Sequence, residues 1–166
     1  MRDQLETTYR THRQGLFTLA LSITGCRQLA EDAVHGAFER LCRRETSTVE
    51  NLSNYVFACV RNSARDLTAG RKRDADVRES IFNGAVLPKH PEADPAADVL
   101  TKERDQILRA AIESLTEDER EIVILKAFGG LTFDDAGEAL EESPKTVATR
   151  YRRALMKLEE KLQGQL

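Results

Sequence analysis

Ser114 to Leu162 reads SLTEDEREIVILKAFGGLTFDDAGEALEESPKTVATRYRRALMKLEEKL, and three helix starts follow one another in it with short breaks between them. Thr116-Glu117-Asp118-Glu119 is a capping box: a hydroxyl N-cap and a carboxylate three residues on satisfy amide donors that the first turn leaves free. Gly129-Gly130 ends that helix, because glycine accepts the left-handed conformation a C-cap needs. Thr132 opens a second helix with Asp134 and Asp135 in its first turn, where acids favour the helix dipole. Ser143-Pro144 opens the third, with serine as the cap and proline at the first helical position, where no amide donor is missed. A short helix, a short break at Glu141-Glu142 and a long helix make the helix-turn-helix pattern, whose second helix is shaped for a DNA major groove.

The chemistry of the long helix agrees. At 100° per residue Val147, Tyr151, Ala154, Leu155, Leu158 and Leu162 share the face that packs on the preceding helices. Lys145, Thr146, Thr149, Arg150, Arg152 and Arg153 lie off that stripe, with Lys157 near its edge. Arginine forks match guanine or phosphate oxygens, and threonine hydroxyls reach bases or phosphates. An amphipathic surface helix with solvated arginines shares the pattern. Basic residues in the N-terminal half of a capped second helix, behind a short capped first one, favour DNA contact.

The 166 residues suit one domain or two small ones, and units of this size bury only a modest core. Aromatic residues are 5%, tryptophan is absent and charged residues are 32%, which fits a helix-rich, water-exposed protein. The chain holds no uninterrupted apolar run of membrane length, and Met1 to Gly15 is too polar for a signal peptide. Cys26, Cys42 and Cys59 are odd in number and widely spaced, and Cys42 and Cys59 have apolar neighbours, which predicts buried thiols in a reducing cytoplasm. His12, His35 and His90 form no pair at ligand spacing, so neither a metal nor a cofactor is expected.

Charge divides the chain. Residues 1–73 hold 12 basic and 8 acidic side chains, residues 74–101 hold 2 and 6, and residues 102–166 hold 11 and 14. This predicts an all-α protein of two small helical domains, 1–73 and 99–166, joined by a flexible acidic linker over 74–98 that carries Pro88, Pro91 and Pro95 and leaves their arrangement free. The first domain reads as helices over Asp3–Ile23, Leu29–Leu41 and Asn51–Ala69. In the third, Leu52, Tyr55, Val56, Cys59, Val60 and Leu67 point inward, while Asn54, Arg61, Asn62, Arg65 and Asp66 form the other face. That face, continued by Arg71-Lys72-Arg73, can follow a nucleic-acid backbone; a basic helix end that complements the dipole is the plainer explanation. A further helix resumes at Val99 and runs to Glu113.

The ordered set of motifs resembles the bacterial RNA polymerase sigma factors of the extracytoplasmic-function class, the small type with only the second and fourth conserved regions. Ala30-Glu31-Asp32-Ala33-Val34 with Phe38 is similar to the polymerase-binding helix. Tyr55-Val56-Phe57 through Arg61-Asn62-Ser63-Ala64-Arg65-Asp66 is similar to the helix that recognises and melts the −10 element. Leu115-Thr116 through Ile122-Val123 and Leu131-Thr132-Phe133-Asp134-Asp135-Ala136 resembles the fourth region, and Thr146-Val147 with Arg150 and Arg153-Ala154 its −35 recognition helix.

The resemblance implies a dissociable subunit that binds core RNA polymerase through its β′ and β subunits and directs it to promoter DNA, with an anti-sigma factor as a further candidate partner. It implies polymerase binding at Asp32, His35 and Phe38, and −10 recognition at Asn54, Tyr55, Arg61, Asn62 and Arg65. It places −35 recognition at Lys145, Thr146, Thr149, Arg150, Arg152 and Arg153. Melting unstacks bases at a cost of a few kcal/mol each; the loop Glu45–Asn51 and the helix from Tyr55 are the expected place of the compensating pocket.

Several positions depart from the family. His35-Gly36 stands where a Gln-Glu pair is usual, and Glu141-Glu142 where the turn carries glycine and an apolar residue. Ala148 replaces a common lysine and Gly137 a usual alanine. A second reading is therefore a sigma-like interaction protein that binds an anti-sigma factor or polymerase without selecting promoters. An enzyme is not expected, because no nucleophile–base pairing, glycine-rich phosphate cradle or metal constellation is visible.

Overall fold

Apolar residues at three- and four-residue spacing run through both ends of the chain, and in the computed structural model both ends are helical. The structure describes residues 2–44, 46, 48–71 and 95–164, with backbone alone at 71 and 95–101. The connector 72–94, with Lys72 and Arg73, and loop residues 45 and 47 lie outside the described residues. No strand occurs among the described residues.

α1 (Arg2–Thr24), α2 (Arg27–Arg43) and α3 (Leu52–Arg71) pack all against all. Their shared core is Leu16, Leu19, Ala20, Ala30, Ala33, Ala37, Leu41, Val56, Val60 and Ala64. Small residues on the inward stripe of α2 let the three helices approach closely. Tyr9 and Phe38 close one end edge to face, with ring centroids 5.2 Å apart.

α4 (Pro95–Glu113), α5 (Glu117–Ala127), α6 (Phe133–Leu140) and α7 (Pro144–Gln163) form the second unit. α4 starts at Pro95, ahead of the expected Val99, because proline, with its fixed φ and no amide donor to lose, is well placed at the first helical position. The predicted N-caps are all present. Thr116 and Thr132 form reciprocal capping boxes with Glu119 and Asp135, and the Ser143 hydroxyl accepts the Thr146 amide. Of the Gly129-Gly130 pair, Gly130 carries the left-handed turn at φ 63°.

Arg120 joins α4 to α5 from a nearly buried position. Its guanidinium donates to the carbonyls of Ile112, Glu113 and Leu115 at 3.4, 3.2 and 3.1 Å. These oxygens lie at the end of α4, where the helix supplies no donors and the dipole favours a cation. Phe133 on α6 packs edge to face on Tyr151 of α7 at 5.6 Å, and the Lys126 ammonium lies over the Phe133 ring, 4.5 Å from its centroid.

The two units dock: α5 packs on α1 and α6 on α3, and one continuous hydrophobic core runs through both. The sequence expectation of a free arrangement is therefore corrected. The two-faced reading of α3 is corrected with it. Phe57, fully buried, fills the side of α3 turned toward α5, where its ring lies 3.2 Å from the position a Gly129 Cβ would take. Burial of such a ring contributes roughly 1.5–3 kcal/mol. On α1, Gly15 admits the α5 terminus, since a Cβ there would stand 3.0 Å from the Phe128 carbonyl oxygen. His12 packs edge to face on Phe57 with ring centroids 5.5 Å apart, and burial lowers its pKa.

Two further expectations fail. Cys42 is exposed rather than buried, because it follows Leu41 around the helix and so leaves the core face; Cys59 and Cys26 are half-buried. Leu155, predicted inward on α7, is 43% exposed. It stands one step, about 100° around the helix, past Ala154 and so leaves the face on which Val147, Ala154 and Leu158 are buried.

Candidate nucleic-acid interface

α7 presents the first group of candidate residues. Val147, Ala154 and Leu158 anchor one side in the core, so the opposite side is left to solvent. Lys145, Thr146, Thr149, Arg152 and Arg153 are all exposed. The Thr146 hydroxyl shares a 2.7 Å hydrogen bond with that of Ser143, and the Thr149 hydroxyl donates to the Lys145 carbonyl at 3.0 Å. Arg150 differs: Glu142 of the turn grips its guanidinium with both oxygens, at 2.5 and 3.1 Å. Lys157, at the edge of the face, is bound by Glu119 at 2.7 and 2.9 Å. Burial alone would raise the Glu119 pKa, but the Lys157 bond and charge and the Thr116 cap outweigh it and hold the carboxyl below its ordinary value.

The turn ahead of α7 is tight. Glu141 closes α6 in the left-handed conformation, at φ 56° and ψ 39°, and is the one non-glycine residue with positive φ among the described residues. The Glu142 amide then donates to the Gly137 carbonyl at 2.9 Å. Gly137 is needed there, because a Cβ would come within 2.7 Å of the Glu142 carbonyl oxygen.

The residues expected on α3 divide between two sides of the helix. Tyr55 and Asn62 face α2 and line an open cleft of about 290 Å³ with Arg40, Arg44, Cys59 and Asp66. Asn54, Arg61 and Arg65 face the second unit instead. Arg61 Nε donates to Glu121 Oε2 at 2.7 Å, and Arg65 Nη2 to Glu121 Oε1 at 3.0 Å. Asn54 Nδ2 donates to Glu138 at 2.9 Å, and beside it Asn51 Nδ2 donates to Asp135 at 3.3 Å. Burial works against the charge of Arg65, but the hydrogen bond and charge of Glu121, with Glu117 and Asp118 nearby, raise its pKa.

The polymerase-binding candidates lie on α2. Asp32 and His35 are exposed, and Phe38 is half-buried on Tyr9. His35, Phe38, Leu5, Tyr9 and Cys42 line a shallow, mainly apolar groove between α1 and α2. All three residues thus occupy one helix, with Asp32 one turn ahead of the groove. Among the described residues no group of His, Cys, Asp or Glu is arranged to hold a metal ion.

Sequence reasoning missed Glu121. It opens the run Glu121-Ile122-Val123-Ile124-Leu125, in which every residue is buried. A five-residue buried run in a helix is enclosed on all sides, so a carboxylate within it has to meet a cation. That signal was available; the identity of the cation was not, because Arg61 and Arg65 are about sixty residues away.

Comparison with known proteins places these elements in a family. Residues 8–74 match the family model for sigma-70 region 2, and residues 105–158 match that for sigma-70 region 4. The extracytoplasmic-function sigma factor EcfG of Rhodopseudomonas palustris strain TIE-1 is 26% identical over 145 residues, covering 86% of this chain and 76% of that one. Among solved structures, the sigma factor RpoE of Bartonella quintana, crystallised with the anti-sigma factor NepR, shares the fold. Its TM-score is 0.74 at 21% identity, over 98% of this chain and 96% of that one. With region 2 on α1–α3 and region 4 on α4–α7, the chain belongs to the sigma-70 family, in its extracytoplasmic-function class.

Proposed function

We propose a division of labour within the sigma factor: α2 docks on core RNA polymerase, α3 takes the −10 element, and the exposed face of α7 takes the −35 element. As a member of this class the protein binds core RNA polymerase and directs it to specific promoters. The observation that carries the finer reading is the state of α7. Lys145, Thr146, Thr149, Arg152 and Arg153 project together from a helix whose opposite side is locked into the core. Such a face fits a major groove, with the arginines on phosphates or guanine edges.

Nucleotidyl transfer belongs to the polymerase, and this chain acts by positioning. No described helix is long and apolar enough to cross a membrane; the proposed place of action is the cytoplasm, where core polymerase works. An anti-sigma factor is a proposed regulator, supported by the Bartonella quintana relative having been solved with one.

The grip of Glu142 on Arg150 favours a second reading, an interaction protein that binds polymerase without reading DNA. One experiment separates the two: binding of the chain to core polymerase, then selection of promoter fragments by the complex from a library. Enrichment of fragments sharing two spaced elements supports the sigma factor, and polymerase binding without enrichment supports the interaction protein. Within an active complex, Arg65→Ala should slow promoter opening more than polymerase association, and an unchanged opening rate removes Arg65 from the −10 set.

A further inference from the structure

The grip of Glu142 on Arg150 takes only one edge of the guanidinium. Its two hydrogen bonds run from Nη1 and Nη2, at 2.5 and 3.1 Å, and Nε makes none to the carboxylate. A guanidinium carries more N–H donors than one carboxylate takes up, and they lie in a planar fork. The edge made by Nε–H and the second Nη2–H is therefore left over. It keeps the parallel donors that match the O6 and N7 acceptors of guanine in a major groove. The pair is not sealed off: the Arg150 side chain is 22% exposed and that of Glu142 32%.

The place of the pair suits DNA reading. Thr146, Thr149, Arg150 and Arg153 follow one another at three- and four-residue spacing and so form one stripe of α7. They line an open cleft of about 410 Å³ against the start of α5, and Arg150 stands in the middle of the stripe. Glu142 reaches Arg150 from eight residues away, and its backbone is fixed. Glu141 before it is left-handed, its own amide is tied to the Gly137 carbonyl at 2.9 Å, and Gly137 has no room for a Cβ. A carboxylate anchored in this way holds the fork still. Among the described residues no carboxylate forms an ion pair with Lys145, Arg152 or Arg153.

Pairing cancels the Arg150 charge as seen from a distance, so Arg150 adds little to the sequence-independent attraction of phosphates. It also orders the side chain before DNA arrives, so less freedom is lost on contact. A neutralised, pre-oriented fork contributes choice of base more than affinity. We propose, on the assignment of α7 to the −35 element, that Glu142 is a positioning residue for promoter choice: it presents the free edge of Arg150 to a guanine of that element. The apolar residue usual at this place in the family could not hold a guanidinium.

The test is selection of promoter fragments from a randomised library by the full chain bound to core RNA polymerase, for the parent, Glu142→Ala and Arg150→Lys. The parent should require guanine at one −35 position. Glu142→Ala should relax that position roughly tenfold or more and keep the preferences at the others. The freed arginine should then bind phosphate, so the affinity of Glu142→Ala for unrelated duplex rises and its salt slope steepens by about one. A damaged turn would not combine lost base choice with gained affinity. Arg150→Lys leaves the turn intact, keeps the charge and removes the fork. It should relax the same position with little change of slope, and it carries the test where Glu142→Ala fails to fold. Unchanged guanine preference in either variant, or equal relaxation at every position, overturns the positioning role and leaves the sigma-factor reading standing. A parent complex that enriches a −10 element without any −35 element overturns instead the assignment of α7 beneath it.

Discussion

Replacing Glu141 by glycine should stabilise the protein although it deletes a side chain. Glu141 sits at φ 56° and ψ 39°, a conformation in which the Cβ of an L-residue crowds the following carbonyl oxygen. That crowding costs roughly 1–2 kcal/mol. Glycine removes it but loses more freedom on folding, which takes back roughly 0.5–1 kcal/mol. The Glu141 carboxylate also lies at the C-terminal end of α6, the unfavourable end of the dipole for an anion, and its removal adds roughly 0.3–1 kcal/mol when exposed. The balance is a gain of about 1 kcal/mol. For a chain of this size that corresponds to a rise in Tm of about 2–4 °C. Urea unfolding should show the gain as a higher midpoint with an unchanged slope. The control is Gly137→Ala, which improves helix propensity by about 1 kcal/mol yet should destabilise, because its Cβ would meet the Glu142 carbonyl oxygen at 2.7 Å. An unchanged or lower midpoint for Glu141→Gly would mean that the turn does not pass through the left-handed region, and the geometry that aims α7 would have to be redrawn.

Arg153→Ala should weaken binding to −35 duplex and reduce the salt slope by about one, with polymerase association unchanged; equal loss of both activities would make the residue structural. Arg150→Ala should cost less, because Glu142 already holds that guanidinium, and Glu142→Ala should strengthen duplex binding by freeing it. The depressed Glu119 carboxyl predicts an acid-sensitive fold. Its folded-state pKa lies below the unfolded one, so its contribution is full above the ordinary glutamate range and is lost as pH falls through the folded value. Lys157→Met should therefore destabilise at pH 7 and matter less in acid, which unfolding curves at the two pH values would show.

How much of this was legible follows from how local each signal is. The caps at Thr116, Thr132 and Ser143 are set by residues within one turn, and all three were readable. The outward face of α7 was readable too, because Val147, Ala154 and Leu158 repeat on one side of it. Phe57 and Asn54 were not, because α3 is packed from two directions and a single stripe cannot describe a helix enclosed by α1 and α2 on one flank and by α6 on another. The charge pattern pointed at the missing contact without naming it. Residues 1–73 are net basic and residues 102–166 net acidic, and such units attract each other, yet their docking depends on the pairing of Glu121 with Arg61 and Arg65.

The use of a buried ion pair at this seam has a physical consequence of its own. Exchange of such a pair for well-packed apolar residues is often neutral or stabilising by about 1–4 kcal/mol, so an apolar seam could hold the units together at least as firmly. What the carboxylate supplies is exchangeability: the guanidinium groups that Glu121 releases keep their preferred partner when a phosphate arrives. The two partners differ in their response to salt. Glu121 is shielded from solvent, and a shielded pair is screened far less than an exposed one. Phosphate contacts, by contrast, weaken steeply as salt rises, through counterion release. Opening should therefore be nearly indifferent to salt, while capture of the single strand is not. Plots of log affinity against log salt for single-strand binding by the parent and Glu121→Gln should then run parallel, separated by a constant offset equal to the share of Glu121 in holding the seam closed. Lines that converge at high salt would show instead that Glu121 acts from a distance as a screened surface charge, and that the seam gives way before DNA is bound.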